Sequence, residues 1–284
     1  MDTPVGMRWL GVAGIELSVD GRTLLIDPFV SRPPARRLWA GRVASDGALV
    51  AEKVPQGDVV LVTHAHWDHI MDVPEVARRT GAAVYGSPNA CALLRALGVP
   101  PAQLHRLAAG DRLRLGTFAV EVLPAVHRTA LGRPIFTGPL RHELAPPLRL
   151  RDYRMDLDFS FAVGAAGYRL LAWSSEHAAP AVAADILCVK PFATRPAFYA
   201  ELLRAVRPRL VIPIHWDGFL RPLSKPLRPM LRPPGWSMRP LRRVDLTEFR
   251  RVIQDIAPRT TVFMPEIFRS YDLGDLLGGV ASID

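Results

Sequence analysis

Residues 7–29 alternate between apolar and polar side chains with a period of two, the spacing that places every second residue on one face of a β-strand. The stretch "MRWLGVAGIELSVDGRTLLIDPF" holds two such runs, separated by Asp20-Gly21. An Asp-Gly pair between alternating runs is a strong signal for a tight hairpin turn. The pattern therefore predicts a β-hairpin at the start of the chain. Further along, the apolar run "DVVLVT" has the character of a buried strand that ends at His64.

Helix signals alternate with strand signals after this point. Asp72 and Glu75 have the spacing of a capping box in front of the helix "VPEVARRT", which Gly81 would end. Ser87-Pro88 is typical of the start of another helix, "NACALLRAL", with Gly98 at its end. Two later segments, "PAFYAELLRAV" and "LTEFRRVIQDI", also read as helices, and strand-like runs surround them.

Strand groups followed by interleaved helices indicate a mixed α/β fold. We predict one domain over residues 1–284, with a Pro- and Arg-rich insert near 128–154 and a basic loop near 219–243. The prolines of this loop, "FLRPLSKPLRPMLRPPGWSMRPLRR", exclude a helix or a central strand. The loop is then either an extended surface segment packed on its own domain or a cationic rim beside His215, which it follows.

The composition is that of a globular protein long enough to bury a sizeable core, with 49% hydrophobic and 22% charged residues over 284 positions. The longest apolar runs are strand-length and fall short of the about 20 residues that span a bilayer. The N-terminal segment also lacks the pattern of a signal peptide. We therefore expect no transmembrane segment and a cytoplasmic location. Cys91 and Cys188 are far apart, and we expect them to pack as small apolar side chains.

The formal net charge is +9, from 36 Lys and Arg against 27 Asp and Glu, and it has two interpretations. It could favour an anionic partner such as nucleic acid, a phosphoester or a membrane surface. It could equally follow from a biased coding composition, because nearly all the basic residues are Arg and the chain is also rich in Ala and Pro. Charge alone therefore leaves nucleic-acid binding as an alternative.

The densest chemical signal is "HAHWDH" at residues 64–69, which contains three of the eight histidines. In an extended segment, residues two apart project to the same side, so His64 and His66 can converge on one ion. Asp68 and His69 follow where the chain turns toward the next helix, and can face a neighbouring point. Imidazole and carboxylate groups suit Zn²⁺, with Mn²⁺ or Fe as alternatives. A buried core histidine explains any one of these residues but not the four together.

Two further histidines end apolar runs in the same way. His127 closes "FAVEVLPAVH", and His215 closes "LVIPIH". If these strands lie beside the strand that precedes His64, their ends bring all three histidine positions to one edge of the sheets. We therefore expect residues distant in sequence to share one site there.

These motifs resemble the metallo-β-lactamase superfamily of metal-dependent hydrolases, in the branch that opens with a "WLG…G…DG…LLIDP" hairpin. "LLIDP", "VLVTHAHWDH", "LPAVH", "ADILCVK" and "VIPIHWD" occur in family order and cover most of the chain. The resemblance implies an αββα sandwich with a metal site along one edge. It implies that Asp27 orients a ligand histidine. It also implies two metal ions, the first bound by His64, His66 and His127 and the second by Asp68, His69 and His215.

The chain departs from the family pattern in two places. Members usually carry an aspartate that bridges both ions, at a position where this chain reads "YRLLAWSSEH" and offers Glu176. Because glutamate is one methylene longer, Glu176 bridges the ions only if the backbone retreats; without a bridge the protein would hold one ion or none. Many relatives also carry a histidine after the first glycine, where this chain reads "GVAG".

The chemistry implied is hydrolysis of an ester, amide or phosphodiester bond by metal-activated water, because zinc lowers the pKa of bound water from about 15.7 to near 7. Asp68 is the candidate that steers this water and takes its proton. The Arg-rich segments favour an anionic small-molecule substrate. Two alternatives stay open: a degenerate binding or scaffold protein that has lost the chemistry, and a nucleic-acid-binding protein or nuclease.

Overall fold

The computed structural model describes residues 3–34, 41–127, 129–130, 133–141, 144–175, 181–191, 196–231 and 242–279. Within these ranges two seven-stranded sheets face each other, and helices cover both outer faces. This is the αββα sandwich expected from the sequence. The domain boundaries 1–284 stay a prediction, since several segments lie outside the described ranges.

The described part of the chain contains sixteen strands and seven α-helices. The strands are β1 (Gly6–Gly11), β2 (Gly14–Val19), β3 (Arg22–Ile26), β4 (Val59–Leu61), β5 (Ala83–Gly86), β6 (Leu104–Arg106), β7 (Arg112–Leu115), β8 (Phe118–Ala125), β9 (Thr129–Ala130), β10 (Arg133–Pro134), β11 (Asp158–Ala165), β12 (Tyr168–Trp173), β13 (Ile186–Val189), β14 (Leu210–Pro213), β15 (Thr261–Val262) and β16 (Ser270–Asp272). The helices are α1 (Gly47–Lys53), α2 (Trp67–Ile70), α3 (Val73–Thr80), α4 (Pro88–Ala96), α5 (Pro196–Val206), α6 (Leu246–Ile256) and α7 (Leu273–Gly278).

The first sheet has the strand order β16-β1-β2-β3-β4-β5-β6. Its first four strands in this order, from β16 to β3, are antiparallel neighbours, and β3 to β6 are parallel. The predicted tight turn joins β2 to β3, with φ of 50° at Asp20 and 71° at Gly21. Positive φ at both central residues is the requirement of a type I′ turn, whose twist matches the flanking strands.

The second sheet has the order β15-β14-β13-β12-β11-β8-β7, in which β12 to β15 are parallel and β7, β8, β11 and β12 are antiparallel neighbours. Alternate residues of β8, namely Phe118, Val120 and Val122, point into the core between the sheets. Because β4 and β14 both run toward the same edge of the sandwich, the loops that follow them meet there. This edge carries the histidines.

The helices cover the two outer faces of the sandwich. Helices α1 to α4 pack on the first sheet, and α5 and α6 pack on the second. Two helix boundaries agree with the sequence: Ser87 accepts a hydrogen bond from the Ala90 amide at the start of α4, and Gly81 ends α3 with a φ of 74°. Both residues do what the cap signals predict.

The predicted capping box at Asp72 and Glu75 is wrong. Asp72 precedes α3, but its side chain makes no hydrogen bond to the helix. Its carboxylate instead accepts the amides of Val30 and Ser31 and the hydroxyl of Ser45. Those tertiary donors satisfy the carboxylate inside the protein, so that the local capping pattern is not used.

The basic loop packs onto the domain in the part that the structure describes. Phe219, Leu220 and Leu223 lie against the hydrophobic cluster between the first sheet and its helices. Residues 219–231 thus contact their own domain, the role of the loop beside His215 stays a prediction, and Trp236 lies outside the described residues. Cys91 and Cys188 are free and buried, as expected for small apolar residues. Among the described residues no helix has the length and apolar character needed to cross a bilayer.

Truncating a fully buried side chain between the sheets should destabilise the whole fold. Phe161 on β11 is 0% exposed in this core. We expect Phe161→Ala to lower the free energy of unfolding by about 3–5 kcal/mol, because it removes apolar contacts and leaves a cavity. Leu231→Ala is the matched control, since Leu231 is 46% exposed and its truncation should change stability by less than about 0.5 kcal/mol. Chemical denaturation of both variants measures the difference, and equal effects would contradict the assigned core.

Candidate metal centre

Three strand ends bring the sequence-predicted histidines together. The chain leaves β4 at Leu61 and reaches His64, while His127 follows β8 and His215 follows β14. The ring centroid of His127 lies 4.8 Å from that of His64 and 4.7 Å from that of His66. The convergence expected from the sequence is thus present in the structure.

The six side chains form two adjacent groups. In each group, one ligand atom per residue lies within 4.8 Å of the others: His64, His66 and His127 in one, and Asp68, His69 and His215 in the other. We call them the first triad and the second triad. The rings of His64 and His69 are 4.0 Å apart between centroids, which places the two triads side by side.

Asp27 fixes the orientation of His69 in the second triad. The Nδ1 atom of His69 lies 2.6 Å from Oδ2 of Asp27, and Thr63 donates both its amide and its hydroxyl to the same carboxylate. An ionised carboxylate only accepts hydrogen bonds, so Nδ1 of His69 carries a proton toward Asp27, and Nε2 is the nitrogen that faces Asp68. This places Asp27 where the resemblance implied, beside a histidine of the second triad.

Asp158 makes the corresponding contact to His64 in the first triad. Its Oδ1 atom lies 3.3 Å from Nδ1 of His64, and Oγ1 of Thr63 lies 3.0 Å from the same nitrogen. Both neighbours accept the Nδ1 proton, because the Thr63 hydroxyl hydrogen is already given to Asp27. Nε2 of His64 is therefore the lone-pair nitrogen. It is buried and has no hydrogen-bond partner among the described residues.

His66 has the opposite orientation. Its Nε2 atom lies 3.1 Å from the backbone oxygen of Ile135. Since a carbonyl only accepts, Nε2 carries the proton and Nδ1 is left to bind an ion. In the second triad, Nε2 of His215 lies 3.3 Å and Nε2 of His69 lies 3.8 Å from Oδ2 of Asp68. Nitrogen and oxygen atoms of this kind match the donors that Zn²⁺ prefers, and the unpartnered nitrogen of His64 is explained by a cation in the first triad.

The titration behaviour of the site also suits a cation. Burial lowers the pKa of His64 and His215, and it lowers the pKa of His66 to about 4, so these imidazoles are neutral at pH 7. Burial would raise the pKa of Asp68, but the neighbouring histidines outweigh it and hold that pKa well below its usual range. The site thus presents neutral nitrogens and an ionised carboxylate, the protonation states in which these side chains bind metal.

The pKa values of His69 and Asp158 are both raised, for different reasons. Burial opposes a charge on His69, but Asp27 and Asp68 outweigh it and raise the pKa of His69. Burial raises the pKa of Asp158 to about 6, although Lys190 and the Ser174 hydroxyl act in the other direction. A cation bound at His64 would add a further positive charge near Asp158 and favour its ionised form.

The mouth of the site carries exposed apolar side chains. Among the described residues, four large hydrophobic side chains are exposed, and three of them are neighbours of the first triad: Val126, Phe136 and Leu157. Val126 precedes His127 in the chain. In the antiparallel pairing of β8 with β11, Ala125 lies opposite Asp158, so the next residues, Val126 and Leu157, lie opposite each other. The ring of Phe136 lies 6.4 Å from that of His66. We call these three residues the apolar rim.

Lys190 brings a positive charge to the same edge. It follows β13, whose alternate residues Ile186 and Cys188 face the other sheet, so Lys190 falls on that face as well. It lines a small cavity together with Asp27 and His69. Among the described residues, the ammonium group of Lys190 forms no ion pair and no hydrogen bond.

Sequence reasoning missed Asp158 and Lys190. Asp158 opens a strand and sits far from "HAHWDH" in the chain, so no local spacing marks it. A weak signal existed for Lys190: it is one of three lysines in a chain of 36 Lys and Arg, and it ends an apolar run. Glu176, the candidate bridging carboxylate, lies outside the described residues.

Known proteins share this fold and these motifs. A family model described as a β-lactamase superfamily domain matches residues 22–216, more than half of the chain. The chain belongs to the metallo-β-lactamase superfamily. Within the superfamily it is similar to a UPF0173 metal-dependent hydrolase from Polynucleobacter asymbioticus, with 28% identity over 233 residues that cover 77% of this chain and 76% of the relative.

Solved structures of the superfamily show the same fold. Igni18, a metallo hydrolase from Ignicoccus hospitalis, has a TM-score of 0.61 at 18% identity, over 95% of this chain and 98% of that chain. CmlA, a diiron β-hydroxylase from Streptomyces venezuelae, has a TM-score of 0.58 at 16% identity, over 96% of this chain and 54% of that chain. At these identities the likeness shows the fold alone.

The depressed pKa of His66 predicts a stability change with pH in the metal-free protein. Its pKa is about 4 in the folded state against about 6.5 for a free histidine, so the unfolded chain binds the proton more tightly. The contribution of His66 to stability is full above about pH 6.5 and is lost as the pH falls toward 4, by about 3 kcal/mol in all. Urea unfolding of the wild type and of His66→Gln at several pH values isolates this contribution. A constant difference between the two proteins across this window would contradict it.

Proposed function

We propose that the protein is a zinc-dependent hydrolase in which the two triads each bind one ion. The observation that carries the proposal is the set of fixed imidazole orientations: Asp27, Asp158 and the Ile135 carbonyl each hold one ring nitrogen. Each of these contacts leaves the other nitrogen of that ring free to bind metal. Similarity to metal-dependent hydrolases supports the reaction class.

Bound zinc would supply a hydroxide at neutral pH and polarise the oxygen of the scissile bond. The protein's own contribution is positional. Asp27 and Asp158 keep His69 and His64 in their tautomers, which is how outer carboxylates raise the affinity of a zinc site. In this proposal Asp68, the acidic member of the second triad, would orient a nucleophilic water and accept its proton.

The surroundings favour an amphipathic substrate with an anionic group, such as a phosphodiester or the ester of an acidic molecule. Val126, Phe136 and Leu157 offer apolar surface on the side of the first triad. Lys190 offers a positive charge on the side of the second, beside the cavity that His69 lines. Small-molecule sites combine apolar surface with a few placed polar groups in this way.

Iron is the main alternative to zinc. The diiron protein CmlA shares the fold, and the second triad contains an oxygen ligand in Asp68.

A scaffold protein without metal is the alternative outside enzymology. The unpartnered Nε2 of His64 argues against it, because a buried nitrogen without a partner is costly. A nuclease is a third candidate on the charge of +9 alone. We expect a cytoplasmic enzyme.

Removing a ligand should remove metal and activity together. We expect purified wild-type protein to hold two equivalents of zinc and to hydrolyse model esters or phosphodiesters. His66→Ala should lose the ion of the first triad and at least 100-fold in kcat/KM, because the metal-activated nucleophile is disrupted. Elemental analysis by mass spectrometry, for iron and manganese as well as zinc, measures the metal.

His105→Ala is the control for this prediction. His105 is exposed and stacks on Tyr85 away from the triads, so its removal should leave metal content and turnover unchanged. Activity that persists in His66→Ala without bound metal would show the mechanism to be wrong. Wild-type protein that stays metal-free after incubation with zinc, iron and manganese would favour the scaffold alternative.

Removing the charge of Lys190 should affect anionic substrates selectively. Lys190→Met keeps the aliphatic length of the side chain and deletes the ammonium. We expect kcat/KM for an anionic phosphodiester to fall roughly tenfold, while a neutral ester of similar size is unaffected. Lys225→Met is the control, because Lys225 is exposed on the basic loop. Equal losses for charged and neutral substrates would remove Lys190 from substrate recognition.

A further inference from the structure

His215 has a backbone conformation that its sequence does not favour. It lies two residues beyond the end of β14 and has a φ of 58°, in the left-handed region. A residue other than glycine in this region is uncommon and is kept there only by its surroundings. Something in the structure must therefore hold the backbone of this member of the second triad.

The holding contacts come from the hairpin of the first sheet. The His215 amide donates to the Val12 carbonyl at 2.7 Å. In return, the Val12 amide donates to the carboxylate of Asp217, at 3.0 and 3.3 Å from its two oxygens. Val12 itself has a φ of 48°. The loop that follows β14 in the second sheet is thus hydrogen-bonded to the β1–β2 turn of the first sheet, once as donor and once as acceptor.

A buried ion pair fixes the carboxylate. Nη2 of Arg32 lies 2.5 Å from Oδ2 of Asp217, and the two side chains are 1% and 0% exposed. Nη1 of Arg32 also donates to the backbone oxygen of Gly218, at 3.2 Å. Two bonds from one guanidinium therefore hold residues 217 and 218 in a single orientation.

The guanidinium of Arg32 packs closely against the backbone of Gly11. A Cβ on Gly11 would lie 2.5 Å from Nη2 of Arg32, and Gly11 has a φ of 92°. Glycine is required there because the guanidinium occupies the space of a side chain. A buried ion pair adds little to stability by itself, since desolvation opposes the attraction, so its geometric effect is the more significant one.

We propose that Arg32 and Asp217 are positioning residues for the second metal: they hold the His215 backbone so that its imidazole faces Asp68. We call the pair with Val12 the Arg32–Asp217 clasp. This inference rests on the proposed function, because it concerns the affinity of the second triad. The inference adds that metal binding at the second triad depends on the first hairpin and on two residues that are not ligands.

The test is Asp217→Asn, which keeps the size of the side chain and removes its charge. In the metal-free protein we expect the His215 amide to exchange with solvent at least tenfold faster, because its acceptor at Val12 is no longer held. In the metal-loaded protein we expect the zinc affinity of the second triad to fall 10- to 100-fold, with the first triad unchanged. Hydrogen exchange and zinc titration calorimetry measure the two effects.

Glu16→Gln is the matched control. Glu16 is largely buried and pairs with Arg8 at 3.2 Å, so among the described residues its ion pair lies within the first hairpin and not with the His215 loop. Its removal should lower stability without changing His215 exchange or the zinc affinity of the second triad. Arg32→Lys keeps both charges of the clasp but loses the forked geometry, so its effect should lie between wild type and Asp217→Asn.

The outcomes separate the inference from the proposed function. If Asp217→Asn lowers thermal stability as Glu16→Gln does, but leaves His215 exchange and both zinc affinities unchanged, the clasp is structural only and the inference fails. If Asp217→Asn does not fold, Arg32→Lys is measured in its place with the same expected directions. If the wild type binds no metal, the proposed function and the affinity effect both fail, while hydrogen exchange still decides whether the clasp holds His215.

Discussion

The candidate metal centre depends on one buried group, the Thr63 side chain, whose hydroxyl oxygen contacts Asp27, His64 and His69. Asp27 reaches it from the end of β3 and accepts its hydroxyl at 2.6 Å. The start of β11, in the other sheet, contacts the same residue: the Phe159 amide donates a hydrogen bond to the backbone carbonyl of Thr63. Because these contacts fix His64 and His69 at once, the two triads are oriented by a single network. Such coupling makes the spacing between them a property of the fold rather than of a flexible loop.

Burying several ionisable groups at one edge has an energetic cost that the protein reduces by pairing them. Asp27 lies against His69, and Arg32 against Asp217. Unpaired, each of these charges would cost several kcal/mol to bury. What is left unpaired is informative: Nε2 of His64 has no partner among the described residues. A cation is the partner whose chemistry fits.

The two sides of the site have different physical characters. Toward the interior, histidine side chains lie in fixed hydrogen bonds to Asp27, Thr63 and the Ile135 carbonyl, an arrangement that suits an ion. Toward solvent, the apolar rim exposes Val126, Phe136 and Leu157, while Lys190 lines the small cavity beside His69. Because members of one fold differ in function through the residues around a shared site, these outer residues are where the substrate proposal is tested.

Local pattern determined a large part of this protein. Alternation predicted the first hairpin, and cap residues such as Ser87 marked helix starts, because these signals act over a few neighbouring residues. The spacing in "HAHWDH" also predicted a metal site. Tertiary structure alone decided how Asp72 is used, since its donors Val30 and Ser31 lie about 40 residues away. It alone placed Asp158 against His64 and Asp217 against Val12, because hydrogen bonds between distant strands leave no periodic trace in the sequence.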